Sequence, residues 1–136
     1  MLTAHQVQSD IMALLADSEL CAEVSGEVYR NGYRPRDSRQ EDIVVTFVTG
    51  TPSQVERGAV TLNIYVPDIT SYNDGVYAED GHRTSYIEEL ADRWVQSLTT
   101  SRANYKFNLL RTISTDNDEA IHQHFVVVQL EYRYKD

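Results

Sequence analysis

The chain has 136 residues, 41% hydrophobic and 24% charged, with 21 acidic against 12 basic side chains and a formal net charge of -9. That length suits one domain with a single core, and the composition excludes a disordered tail. The acid excess repels phosphate backbones, so sequence-specific nucleic-acid binding is not expected. The longest apolar runs, Val44 to Val48 and Phe125 to Val128, fall far short of the roughly 20 residues of a membrane-spanning helix, so no membrane partner is expected. Met1 to Asp10 contains neither Lys nor Arg, which argues against a signal peptide and for a cytoplasmic default. Cys21 is a lone cysteine, which rules out an intramolecular disulfide or a thiolate metal site.

Thr3 and Gln6 fit a capping box, and Leu2 and Val7 a hydrophobic staple, so a helix is predicted at the very start. Ala4, Val7, Ile11, Leu14 and Leu15 form its buried stripe, with His5, Gln6, Gln8, Ser9 and Asp10 toward solvent. A short helical piece over Glu19 to Val24 follows, ended by Ser25 and Gly26, and Val28 and Tyr29 begin an extended segment. Arg30 to Gln40 is a basic loop on an acidic protein, carrying Arg30, Arg34, Arg36 and Arg39 against Asp37 alone. Ile43 to Thr49 is rich in β-branched residues and reads as a strand, and Gly50 to Gly58 as a polar connection.

Ala59 to Val66 alternates: Val60, Leu62, Ile64 and Val66 face one way, Thr61, Asn63 and Tyr65 the other. Pro67 to Arg83 reads as a long exposed loop around Tyr72 and Tyr77. Ser85 and Glu88 form a second capping box, opening a helix with the stripe Tyr86, Ile87, Leu90, Ala91, Trp94, Val95 and Leu98. Two strands follow, Tyr105 to Ser114 and Ile121 to Tyr134, joined at an Asp116-Asn117-Asp118 turn. The fold class is α+β: an antiparallel sheet of about four strands with two main helices packed on one face. The second face then carries Thr61, Tyr65, Phe125 and Val127, more apolar than a solvated face needs, which marks a contact with another chain.

No catalytic, cofactor-binding or metal residue emerges. His122 and His124, two apart on a strand, would project from one face and offer two imidazoles to a metal, but no third ligand is evident and the polar edge of a core strand explains them better. Asp116, Asp118 and Glu119 lack the spacing of a calcium loop and suit a hairpin turn. Nucleophile and phosphate-loop motifs are absent, and the glycines are isolated turn markers. Two readings of the arginine loop stand side by side, a solvated loop, or Arg30, Arg34, Arg36 and Arg39 docking on the acidic surface of a neighbouring copy; a nucleic-acid patch with Tyr29 and Tyr33 is the lesser alternative, since no stripe of Lys and Arg extends it. Tyr72 and Tyr77 offer the same choice between a mobile surface loop and an arm that orders on a partner.

The pattern resembles the tail-terminator and tail-completion proteins of long-tailed bacteriophages and prophages. The matching features are the N-terminal helix with its continuation Asp17-Ser18-Glu19-Leu20, the Gly26-Glu27-Val28-Tyr29 segment, the strand ending Asn63-Ile64-Tyr65-Val66-Pro67, the helix Ser85 to Leu98, and the closing hairpin. The resemblance implies a structural subunit of the virion tail, assembled in the bacterial cytoplasm, that forms a homo-oligomeric ring, typically hexameric, at the head-proximal end. Its implied partners are tail-tube and head-connector proteins, and it implies no cofactor and no enzymatic activity. The long Pro67 to Arg83 loop departs from the compact form of that family. The competing readings are a non-viral α+β module that dimerises through its sheet and, further off, a hydrolase with a pocket near His122 and His124.

Overall fold

The computed structural model describes residues 1–70, 74–98 and 104–135. Thr3 opens α1 (Ala4–Ala16) through the expected capping box: its hydroxyl accepts from the Gln6 N–H at 3.2 Å, and the Gln6 side chain accepts from the Thr3 N–H at 2.8 Å. These bonds satisfy amides that a helix start otherwise leaves to water. Gln8, expected toward solvent, is 7% exposed and donates to the Val45 carbonyl at 3.1 Å. The same carbonyl also accepts from the Asn31 N–H at 3.0 Å, so Gln8 adds a second bond there that ties α1 to the sheet.

Ser18 caps the short α2 (Glu19–Glu23) by accepting from the Cys21 N–H. The strands are β1 (Val28–Arg30), β2 (Ile43–Thr51), β3 (Glu56–Pro67), β4 (Tyr105–Leu109), β5 (Ser114–Asp118) and β6 (Gln123–Tyr134). They form one sheet in the order β1-β2-β3-β6-β4, with β5 also paired to β6. The fold class is α+β, but the described residues form six strands and three α-helices, not four and two, and the sheet is mixed because β1 runs parallel to β2. With only three residues, β1 is too short to show alternation. The loop between it and β2 is long enough to carry the chain back for a parallel pairing, which a tight turn cannot do.

β5 occupies the expected turn. Asp116, Asn117 and Asp118 pair with Phe125, His124 and Gln123, and the reversal is made instead by a 3-10 turn at Glu119–Ile121, closed by His122 at φ 53°. β4 and β5 lie end to end along one side of β6, a sheet edge where polar residues are tolerated.

β2 and β3 also run further than composition suggests, through Gly50 and Gly58, which pair with one another while Gly58 pairs with Tyr132. A Cβ on Gly58 would fall 2.3 Å from the Thr49 carbonyl oxygen and 2.5 Å from the Tyr132 hydroxyl. The glycines therefore make room for a tyrosine lying across the strands. α3 (Gly81–Leu98) starts ahead of Ser85, because Asp80 takes the capping role and accepts from the Arg83 N–H at 3.2 Å. Within the long loop before it, Ile69 and Ala78 exchange backbone hydrogen bonds at 2.9 and 2.8 Å, so its described stretches form an arm with a local bridge.

Val7, Ile11 and Leu15 of α1, Leu20 of α2, and Ile87, Leu90 and Trp94 of α3 share one core cluster with Ile43, Val45, Val60, Leu62, Ile64, Val126, Val128 and Leu130. All three helices thus cover the same sheet face. Strand alternation puts Thr61, Asn63, Tyr65, Phe125 and Val127 on the opposite face, where no described helix packs.

Candidate functional site

The arginine loop folds back over one end of the helix-free face. The Arg34 guanidinium carbon lies 4.0 Å from the Tyr65 ring centroid, close enough for a cation–π contact. Its Nε donates to Asp42 Oδ2 at 2.9 Å, and its Nη2 donates to Gln123 Oε1 at 2.8 Å and the Gln40 carbonyl at 3.1 Å. Asp42 is 1% exposed and also accepts from the Glu27 N–H at 3.0 Å and the Ser38 hydroxyl at 2.5 Å. A buried carboxylate survives only among donors, and the residue ahead of β1 and the arginine loop supply them here. Gly26 belongs to this cluster, since a Cβ there would fall 2.1 Å from Asp42 Oδ1.

The adjacent carboxylate is held in the same way. Arg83 grips both oxygens of Glu41 and donates to the Glu23 carbonyl, tying the start of α3 to α2 and to the approach to β2. The Glu41 hydrogen bonds raise the Arg83 guanidinium pKa above its ordinary value, against the opposing effect of burial.

Of the sequence-derived interface residues, Arg34, Thr61, Tyr65, Phe125 and Val127 come together on this face. Tyr65 and Phe125 are half-buried, with ring centroids 5.4 Å apart, and burial raises the Tyr65 phenol pKa. Val127 is 6% exposed, so it is already buried within the single chain. The other arginines disperse: Arg30 donates to Ser9 Oγ at 2.6 Å on the helical side, and Arg39 donates to the Ile121 carbonyl at 3.1 Å. Arg36 is exposed without a side-chain partner among the described residues. Tyr77 lies apart on the arm, stacked on His122 at 4.0 Å with an interplanar angle of 11°. Tyr72 lies outside the described residues. The arm also exposes Ile69 and Val76, at 42% and 63%.

The two histidines do not share a strand face. His122 belongs to the turn, while His124 lies in β6 with its Nδ1 2.6 Å from Asp68 Oδ1. A cleft of 500 Å³ between the arm and this turn is lined by Asp68, Tyr77, Glu79, Asn117, His122 and His124, among others. Among the described residues, no group of three or more His, Cys, Asp or Glu side chains could hold a metal ion.

Asp42 and Gln123, the anchors of the loop, escape sequence reasoning. The only trace of Asp42 is the acidic pair Glu41-Asp42 directly ahead of an apolar strand, and Gln123 resembles any polar residue at a strand start. No protein-family model matches the chain, and no curated protein matches it. Among the described residues, no helix is long and apolar enough to cross a membrane.

Proposed function

We propose that this protein is a self-assembling structural subunit, of the tail-terminator or head–tail joining type, that forms a ring at the head-proximal end of a phage or prophage tail. One observation carries the reading: three helices cover one sheet face, while the opposite face, covered by no described helix and at one end by the Arg34 loop, presents half-buried Thr61, Tyr65 and Phe125. A surface of that kind is suited to a partner chain. The arm with exposed Ile69, Val76 and Tyr77 adds apolar area for a neighbour or for the tail tube. The acid excess would let DNA pass the assembled ring without adhesion.

The test is the mass of the full chain by light scattering after size exclusion, across concentration and salt, with electron microscopy of the largest species. The expected result is a ring many times the 15.6 kDa of one chain, lost in Thr61→Arg, which places a charge mid-face away from the core. A dimer as the largest species, or a monomer at every concentration, overturns the reading.

A further inference from the structure

The basic residues form a group that their sequence positions hide. Strand register sets Arg57 of β3 directly opposite Arg133 of β6, and Lys106 of β4 opposite Arg133 from the other side. Alternation places Arg57 with Thr61 and Tyr65, and Arg133 with Phe125 and Val127, so the row lies across the helix-free face. All three residues are exposed. Arg133 meets Glu131 at 3.4 Å, while Arg57 and Lys106 have no side-chain partner among the described residues.

Like charges directly opposite one another in a sheet destabilise it, since the Cβ atoms of such pairs are only about 5 Å apart. A row of three is therefore a cost to the isolated chain that a facing anion would relieve. On its own face the row meets Glu131 beside Arg133, with Asp116 and Asp118 further along at β5, and further anions lie on the helical layer. Taking these three cations from a chain of net charge -9 leaves a remainder of -12. The helical layer contributes Glu19, Glu23, Glu88, Glu89 and Asp92, and its arginines Arg83 and Arg93 are already paired with Glu41 and Glu19. Glu89 and Asp92 are exposed on α3 and three residues apart, hence on one side of the helix.

We propose that the Arg57–Arg133–Lys106 row docks on Glu89 and Asp92 of a second copy, sheet face against helical layer. A second copy fits better than a nucleic acid, because the remaining charge repels a polyanion while each copy brings the required acids itself. The two patches lie on opposite faces, so the contact is heterologous, the kind that builds a ring where the rotation between copies closes and an open filament where it does not. The inference rests on the ring reading above and names the contact that would build it.

The test is charge reversal in the full chain, with circular dichroism confirming that each variant folds. Arg57→Glu with Arg133→Glu is expected to weaken self-association by about 100-fold or more. Glu89→Lys with Asp92→Lys is expected to do the same, although it moves the net charge from -9 to -5 and would strengthen association if bulk repulsion governed it. Mixing the two double variants should restore the wild-type mass, since each then carries the complement of the other. Wild-type assembly unchanged in both variants overturns this contact and leaves the ring reading intact. Failure of the mixture to reassemble also overturns the pairing, and a wild type that never assembles overturns both. A DNA duplex bound by the wild type and released by the arginine reversals, with assembly unaffected, would assign the row to a polyanion instead.

Discussion

Replacing Asp42 by alanine should remove more stability than any surface charge change on this protein. The side chain is 2% exposed and accepts from the Glu27 N–H, the Ser38 hydroxyl and Arg34 Nε, while the Arg34 side chain is itself only 11% exposed. Breaking a buried pair by deleting one partner costs about 3–5 kcal/mol, because the surviving charge stays desolvated. Arg34 retains the Tyr65 ring, Gln123 and the Gln40 carbonyl, which places the expected loss near the lower end, at about 3 kcal/mol. That is a large share of the roughly 5–15 kcal/mol that holds a domain together, and corresponds to a fall in Tm of about 10 °C. Urea unfolding followed by Trp94 fluorescence and far-ultraviolet dichroism measures it. In a double-mutant cycle, Arg34→Met and Asp42→Ala should couple by more than about 1 kcal/mol, since the two side chains touch. The loop should also become sensitive to trypsin at Arg36 and Arg39 under native conditions, because its anchor is gone. A loss below about 1 kcal/mol, or coupling indistinguishable from zero, would refute the view that this pair holds the loop on the sheet.

Gly58→Ala should cost about 1–3 kcal/mol, since its Cβ would overlap the Thr49 carbonyl and the Tyr132 hydroxyl. Adding Tyr132→Phe should recover part of that loss in urea titrations, and no recovery would show that the backbone contact alone sets the cost. Stability should also fall at alkaline pH. Burial raises the pKa of the Tyr65, Tyr105 and Tyr132 phenols above the ordinary 10.0, and for Tyr105 the Asp10 carboxylate, which accepts its hydroxyl at 2.7 Å, adds to the effect. The unfolded chain then releases protons near pH 10 that the folded chain keeps, so unfolding free energy is level with respect to these groups below that pH and declines above it. Tyr105→Phe should flatten the decline, and a profile unchanged by that substitution would exclude Tyr105 as a cause.

Regular patterns were legible in the sequence where each residue answers to its own neighbours. The Thr3–Gln6 box, the alternation over Val60 to Val66 and the stripe of α3 are local signals, and the structure follows them. Failures came where a distant partner decides. Asp116-Asn117-Asp118 carries turn composition, yet β6 lies beside it and takes it into the sheet. Gly50 and Gly58 look like loop residues until Tyr132 is seen across them. Gln8 looks solvent-facing until the Val45 carbonyl is placed next to it.

The same distinction governs the charges. Four arginines close together in one loop invite the expectation that they face outward together, but Arg34 turns inward to Asp42, Tyr65 and Gln123 and has little left to offer a neighbour. Arg57, Lys106 and Arg133 are scattered along the chain, and sheet register alone makes them adjacent. One end of the helix-free face is thus closed by a loop that satisfies its own guanidinium, while the other end holds three cations opposite one another with Glu131 alone beside Arg133 among the described residues. Electrostatic demand for a partner therefore concentrates at the β3–β6–β4 end, away from the loop that composition singles out, and substitutions there should alter association far more than Arg34→Met, whose effect should fall on stability.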